Sequence, residues 1–261
     1  MTDREPTIFA MGGGGFTSTP GDPALDALVL ELCRDTPEPR VLFLPTASGD
    51  PREQIAAFHA TFGDRCRATH LSLFRLHGSK RPLRDVVLSQ DAVYVGGGSM
   101  RNMLAIWRAH GLDGILHEAW ERGIVLAGLS AGAMCWFEGG VTMSGGPPEP
   151  YEGLGFLSGS LSVHADGEPA RLPVYLESVK SGRLPGGWAC DDGVGLVLKG
   201  DTVERIVSAR PGSTALRVDA VGGELVRRRH QPELLGVPVG PERVVPDDIR
   251  EFRAMRHRGG R

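Results

Sequence analysis

The segment Ile124-Val-Leu-Ala-Gly-Leu-Ser-Ala-Gly-Ala-Met-Cys-Trp-Phe-Glu138 joins an apolar run to a Gly-x-Ser-x-Gly motif and then to a second apolar stretch. This layout is typical of a nucleophile elbow, in which a serine lies on a tight turn between a strand and a helix. Gly128 and Gly132 suit this turn because strand and helix approach each other closely there. We therefore predict a helix that continues through Glu138, with Ser130 as the candidate nucleophile.

Short apolar or β-branched runs alternate with helical patterns through the first half of the chain. The predicted strands are residues 7–11, 41–45, 69–74, 92–96 and 124–127, and the predicted helices are residues 23–34, 51–62, 100–110 and 112–122. This alternation is typical of a mostly parallel sheet covered on both faces. From about Val194 short alternating runs predict a C-terminal antiparallel β meander, and a short helix is expected after Pro246. We predict one α/β domain over residues 1–261.

The turns after the predicted strands are rich in glycine, at residues 12–15, 46–50, 96–99 and 128–132. Sites in parallel sheets form at the carboxyl ends of strands, so these turns should share one edge. The Ala131 amide begins a helix, where anions are favoured, and the Gly97 and Gly98 amides lack shielding side chains, so these three are the expected oxyanion donors. A nucleotide site at residues 12–15 is disfavoured because the G-x-G-x-x-G spacing is absent.

Composition and charge exclude several function classes. The net charge of −3 and the short basic clusters give no continuous surface for nucleic acid. No run approaches the length of a membrane span, and the first residues do not resemble a secretory signal, so we expect a cytoplasmic protein without a membrane partner. The four cysteines lack metal-ligand spacing, and Cys135 is expected to be buried and inert. A homodimer is compatible with the sequence.

A serine nucleophile needs a base, which in turn needs a carboxylate. His164 is the best candidate base, because it closes the run Leu161-Ser-Val-His164 ahead of a Gly- and Pro-containing turn. Glu138 follows Ser130 by eight residues, about two turns along the predicted helix, and would fall on the same face. A solvated Glu138 is an equally good interpretation, and Asp166 and Glu168 beside His164 are competitors.

Two longer motifs resemble a known family. Ala92-Val-Tyr-Val-Gly-Gly-Gly-Ser-Met-Arg-Asn-Met103 and Gly128-Leu-Ser-Ala-Gly-Ala133 are similar to the peptidase E family of serine aspartyl dipeptidases, relatives of cyanophycinase. The resemblance implies a flavodoxin-like sheet and a Ser-His-acid site without metal or cofactor, with Ser130 as nucleophile and His164 as base. Some members carry an aspartate a few positions beyond the place of Glu138, where this chain has no carboxylate, and this strengthens Glu138 by elimination.

The resemblance also implies a small peptide substrate with an N-terminal aspartate. An acidic side chain calls for an arginine fork, and Arg171 is the first candidate, with Arg101 second. Two alternatives stay open: a cyanophycinase-like hydrolase, for which Glu149, Glu152 and Glu168 would receive arginine side chains, and a catalytically silent binding module of the same fold.

Overall fold

The computed structural model describes residues 5–17, 23–33, 37–76 and 81–236. Through the first half strands and helices alternate as β1 (Thr7–Met11), α1 (Pro23–Glu31), β2 (Arg40–Leu44), α2 (Arg52–Phe62), β3 (Arg67–His70), α3 (Leu83–Leu88), β4 (Ala92–Val95), α4 (Met100–His110), α5 (Leu112–Glu121) and β5 (Val125–Leu129). Every predicted strand and helix of this half is confirmed, with ends shifted by at most four residues. The short helix α3 was not predicted.

The second half contains more strand than the sequence indicated. Its elements are α6 (Ala131–Met134), β6 (Phe137–Thr142), β7 (Glu149–Glu152), β8 (Leu157–Ser162), α7 (Arg171–Lys180), β9 (Gly187–Cys190), β10 (Val194–Lys199), β11 (Thr202–Ser208), β12 (Ala215–Val221), β13 (Glu224–His230) and β14 (Glu233–Leu234). Helix α6 ends four residues after it begins, so the long helix predicted after the elbow is wrong.

The central sheet of the described residues has the strand order β14-β11-β10-β1-β5-β4-β2-β3. Strands β1 to β5 pair with one another in parallel. Strand β10 pairs with β1 in the antiparallel direction and extends the sheet. Side chains alternate between faces along β1: Ile8 belongs to the core cluster that includes Leu104 and Trp107 of α4, and Phe9 belongs to the one that includes Phe58 of α2. Helices therefore cover both faces, which is why β1, β4 and β5 are buried throughout.

A second sheet has the order β13-β12-β9-β8-β6-β7 within the described part of the chain. Helix α7 packs on it through Tyr175 and Val179, which belong to one core cluster with Val141 and Val218. The alternating C-terminal runs do form antiparallel hairpins, but these hairpins lie in different sheets: β10 and β11 extend the central sheet, whereas β12 and β13 join the second.

The two sheets are linked by the segments that carry the candidate site. The chain leaves the central sheet after β5, at the elbow, and returns to it through the turn between β9 and β10. Strands β6, β8 and β9 are parallel, so their carboxyl ends share one edge. The candidate residues therefore come from the carboxyl ends of strands in both sheets.

Two expectations concern the chain beyond residue 236. The helix predicted after Pro246 lies outside the described residues, and the single domain over residues 1–261 stays a prediction. None of the helices in the described ranges is long and apolar enough to cross a membrane.

Candidate active site

Ser130 follows β5 and begins α6 in a backbone conformation that serine rarely adopts, with φ 54° and ψ −115°. Its amide donates to the Met11 carbonyl at 3.0 Å, which ties the turn to the end of β1. A Cβ atom at Gly128 would collide with the Gly132 carbonyl, and one at Gly132 would collide with the Val95 carbonyl. This tight packing holds the Ser130 backbone in its strained turn, as the elbow motif predicts.

His164 contacts the elbow serine directly. Its Nε2 atom lies 2.8 Å from Ser130 Oγ. His164 comes two residues after β8 ends, and it also has a left-handed backbone with φ 56°. The side chain is only 17% exposed, so the ring is largely shielded from solvent. The predicted proximity of His164 and Ser130 is confirmed.

The other ring nitrogen of His164 contacts Asp192, a residue that the sequence interpretation missed. Asp192 Oδ1 lies 2.5 Å from His164 Nδ1. An ionised carboxylate can only accept, so Nδ1 carries the proton and Nε2 is free to accept from the Ser130 hydroxyl. This tautomer is the one that a general base needs.

Glu138 was the predicted partner of His164, and this prediction is wrong. It lies on strand β6, and its carboxylate accepts a 2.6 Å hydrogen bond from the Gly159 amide. The helix ends early because the sequence beyond it, Phe137-Glu-Gly-Gly-Val-Thr142, contains glycines and β-branched residues that disfavour helix. The expected helical spacing between Ser130 and Glu138 therefore does not exist.

The two carboxylates nearest to His164 in sequence have other partners. Asp166 accepts a 2.8 Å hydrogen bond from the Asp192 amide, so it supports the loop that carries the carboxylate contacting His164. Glu168 forms an ion pair with Arg171, in which Nε donates at 2.8 Å. Neither carboxylate is the acceptor for His164 Nδ1, as the position of Asp192 shows.

Ser130 opens into a cavity of about 260 Å³. Its lining includes Arg171 and five hydroxyl-bearing side chains, together with glycine, alanine and methionine: Ala47, Ser48, Gly98, Ser99, Ser130, Met134, Thr142, Met143, Ser144 and Arg171. The Arg171 side chain is 3% exposed, and its Nη1 donates to the Val141 carbonyl at 2.7 Å. A fixed, buried cation therefore lies in the same cavity as the serine, and the role of Arg171 in binding substrate stays a prediction.

Arg101 has a different position. Its guanidinium pairs with Glu149 and lies 5.4 Å from the centre of the Tyr151 ring. The side chain is about half exposed and does not line the cavity of Ser130. The structure thus brings Arg171 to the serine and leaves Arg101 at the surface beside it.

The three candidate oxyanion donors surround the elbow. Gly97 packs so closely that a Cβ atom there would lie 3.2 Å from Ser130 Cβ, and Gly98 lines the cavity. Ala131 is the first residue of α6, so its amide has no acceptor within the helix. Among the described residues, the Gly97 and Gly98 amides donate no backbone hydrogen bond. The three residues lie at the elbow or the cavity beside it, and their role as oxyanion donors stays a prediction.

This geometry agrees with the outcome of the family comparison. A model of the family described as Peptidase family S51 matches residues 8–206. The chain belongs to peptidase family S51. The family assignment makes it a peptidase and confirms the resemblance to peptidase E.

Relatives and solved structures are consistent with membership of family S51. The chain is 46% identical over 212 residues to the uncharacterized peptidase YgaJ of Bacillus subtilis (strain 168), covering 81% of this chain and 91% of the relative. A crystal structure of a peptidase from an acI-B1 Actinobacterium aligns with a TM-score of 0.63 at 17% identity, covering 85% of this chain and 94% of the other.

A putative peptidase E protein from Listeria monocytogenes EGD-e aligns with a TM-score of 0.52 at 15% identity, covering 87% of this chain and 100% of the other. At these identities, the two solved structures support the fold of this S51 member.

The sequence of this S51 chain offers Asp192 as a candidate acid of the site, but it does not distinguish Asp192 from Asp191. The turn Cys190-Asp-Asp-Gly193 places two carboxylates after a buried strand. The structure separates them, because Asp191 accepts from the amide and the hydroxyl of Thr214 while Asp192 faces His164. In the described part of the chain, no group of three or more His, Cys, Asp or Glu side chains could hold a metal ion.

Proposed function

We propose that this peptidase is a serine exopeptidase that cleaves dipeptides or short peptides after an N-terminal aspartate. The observation that carries the proposal is the continuous chain of contacts from Asp192 through His164 to Ser130, within 2.5 Å and 2.8 Å. Three groups in this order match the arrangement that activates a serine hydroxyl in unrelated hydrolases.

The proposed reaction is acyl transfer. The Ser130 oxygen attacks the substrate carbonyl while His164 Nε2 takes the hydroxyl proton, and the negative charge that forms on the carbonyl oxygen is stabilised by the Ala131, Gly97 and Gly98 amides. His164 then gives the proton to the leaving amine, and the peptide C–N bond breaks. A water molecule then attacks the acyl ester on Ser130 with the same proton transfers through His164, and the acid product is released. Asp192 stabilises the imidazolium that exists between the two proton transfers.

Arg171 supports the specificity for aspartate. It lies in the same cavity as Ser130, and its buried positive charge, which already pairs with Glu168, favours a substrate carboxylate there over a neutral side chain. Its ion pair with Glu168 and its bond to the Val141 carbonyl hold the guanidinium in one orientation. A cavity of about 260 Å³ with several hydroxyl groups suits a small polar side chain better than a large apolar one.

The two alternatives are less well supported. A cyanophycinase-like enzyme would need acidic groups for arginine side chains, but Glu149 pairs with Arg101 and Glu168 pairs with Arg171, and Glu152 is exposed and does not line the cavity of Ser130. A silent binding module has no need for a serine, an imidazole and a carboxylate in continuous contact. We therefore place both below the aspartyl exopeptidase.

Turnover of matched dipeptides tests the proposal. Asp-Leu, Asn-Leu and Ala-Leu are incubated with the purified protein between about pH 6 and 9. We expect release of leucine from Asp-Leu at least about tenfold faster than from Asn-Leu, because only the charged side chain pairs with Arg171. Ser130→Ala should lower kcat by about a thousandfold or more while the protein stays folded.

Three results would contradict the proposal. If all three dipeptides remain intact, the exopeptidase is excluded. If Asn-Leu and Asp-Leu are cleaved equally, the role of Arg171 is excluded and the peptidase remains. If Ser130→Ala retains full turnover, the serine mechanism is excluded.

A further inference from the structure

The glycine-rich turn after β1, residues 12–15, has no role in the reaction described above. Gly13 of this turn lies against His164 and Asp192, and the residue before the turn contacts Ser130. That residue, Met11, accepts the Ser130 amide at 3.0 Å. Gly13 accepts the amide of Gly193, the residue after Asp192, at 3.1 Å. The turn thus ties the serine elbow and the loop of Asp192 to the same point at the end of β1.

Gly13 lies directly against the hydrogen bond between His164 and Asp192. A Cβ atom built on Gly13 would overlap Asp192 Oδ1 and would lie 2.9 Å from both Cε1 and Nδ1 of the His164 ring. Real Cβ atoms essentially never approach other heavy atoms this closely, so the pair would have to move. Because Oδ1 is the atom that contacts Nδ1, any movement that relieves the overlap acts on this contact.

The neighbouring glycines show that the space around Asp192 is restricted on more than one side. Gly167 lies on another side of the carboxylate, where a Cβ atom would be 3.2 Å from Oδ2. At Gly12, a Cβ atom would meet the Asp191 carbonyl at 2.5 Å. The Asp192 carboxylate therefore lies in a slot between Gly13 and Gly167, and Gly12 packs against the residue before it.

We infer that Gly13 is a positioning residue of the active site: its missing side chain leaves the space in which the hydrogen bond between His164 and Asp192 forms. The inference rests on the proposed serine mechanism for its effect on turnover. It does not depend on conformational freedom, because Gly13 is not among the residues with positive φ. The glycine is required by contact alone, so alanine at this position acts on its neighbours without straining its own backbone.

A double-mutant cycle separates this role from a general structural one. We expect Gly13→Ala to lower kcat for Asp-Leu by about 100-fold or more with little change in KM, because the loss of the His-carboxylate contact acts on the chemical step. In an Asp192→Asn background the same change should cost less than about threefold, because the contact is already lost. Gly114→Ala, on an exposed position of α5 with open space around it, is the matched control in both backgrounds.

A second readout does not require turnover. A proton shared in a short bond between imidazole Nδ1 and a carboxylate gives a strongly deshielded NMR resonance, which we expect in the wild type, in Ser130→Ala and in Gly114→Ala. We expect it to be absent in Asp192→Asn and in Gly13→Ala. If the wild type cleaves no peptide but shows this resonance, the proposed function fails, and the resonance alone decides the role of Gly13.

Several outcomes would overturn the inference. A Gly13→Ala variant that keeps the resonance, or keeps kcat within about twofold, excludes the positioning role. If Gly13→Ala lowers kcat by the same factor in the Asp192→Asn background, Gly13 has only a general structural role. If Gly13→Ala does not fold, exposed Gly167→Ala is measured in its place; a loss that depends on Asp192 supports the slot, whereas no loss, or a loss independent of Asp192, excludes it.

Discussion

Asp192 Oδ1 lies 2.5 Å from His164 Nδ1, although 28 positions separate the two residues in the chain. The contact follows from strand pairing. His164 comes after β8 and Asp192 after β9, and these strands are parallel neighbours with Ser162 opposite Ala189. Carboxyl ends of adjacent parallel strands meet at one edge, so the imidazole and the carboxylate are brought together by the second sheet.

This contact predicts different effects for two carboxylates. Asp192→Asn should lower kcat for Asp-Leu by about 10³- to 10⁴-fold, because the amide cannot hold the protonated Nδ1 tautomer or stabilise imidazolium. Glu138→Gln should stay within about twofold, since its oxygen can still accept from the Gly159 amide. Steady-state kinetics of both variants measure the difference. The opposite ranking would restore Glu138 as the acid and exclude Asp192.

The buried guanidinium of Arg171 predicts that a cation of another shape at this position lowers the preference for an N-terminal aspartate. Arg171→Lys keeps the charge but loses the planar fork, so the KM for Asp-Leu should rise about tenfold or more, while the slow cleavage of Ala-Leu stays unchanged. Arg108→Lys, on the exposed face of α4, is the matched control. If Arg101→Lys causes the loss and Arg171→Lys does not, the carboxylate is bound at the surface and not in the cavity.

The burial of the cysteines predicts that alkylating reagents leave turnover unchanged. Burial raises the pKa of the Cys135 thiol well above its usual range, and burial raises the pKa of Cys66 to about 11. The thiolate fraction at pH 8 is therefore very small. Iodoacetamide should leave turnover unchanged, whereas a serine-reactive phosphonate should abolish it and modify Ser130. Inactivation accompanied by alkylation of Cys135 would favour a cysteine nucleophile five residues beyond the elbow.

The buried carboxyl group of Asp50 predicts that the stability of the folded protein depends on pH. Its side chain is buried in the loop between β2 and α2, and desolvation raises its pKa, which outweighs the opposing effects of Ser72 and Arg75. The folded state therefore binds a proton more readily than the unfolded chain, and the cost of the ionised form is present above the folded pKa and relieved as the pH falls through it.

Asp50→Asn should consequently raise the melting temperature at pH 7, and the gain should shrink toward acidic pH. Asparagine also tolerates the left-handed backbone of this position, where φ is 57°. Thermal unfolding between about pH 4 and 7 measures the trend, with exposed Asp64→Asn as the control. A gain that stays constant over this range would mean that the charge of Asp50 is not its cause.

The order of elements in the first half was predictable because local patterns encode it. Buried parallel strands such as β1 and β4 are continuous apolar runs, and helices α4 and α5 show regular apolar spacing. Ser130 was predictable for a related reason: its two flanking glycines are required by contacts within a few residues and with an adjacent strand.

The acid of the site was not predictable in this way. Asp191 and Asp192 are chemically identical neighbours, and only the packing of Thr214 against one and of His164 against the other distinguishes them. The assignment of Glu138 failed because it assumed that a helix continues through Gly139 and Gly140, where the second sheet begins. Hydrogen bonding to β7 and β8 fixes that strand, and those partners lie outside any local window.

The sequence by itself determined the parallel sheet, the elbow, the serine and the candidate base, since each depends on residue type and on neighbours a few positions away. The tertiary structure decided which carboxylate supports His164, which arginine reaches the cavity and why Gly13 has no side chain. These depend on where two sheets meet. Their physical reason is steric and electrostatic complementarity between segments far apart in the chain, which no periodicity in the sequence encodes.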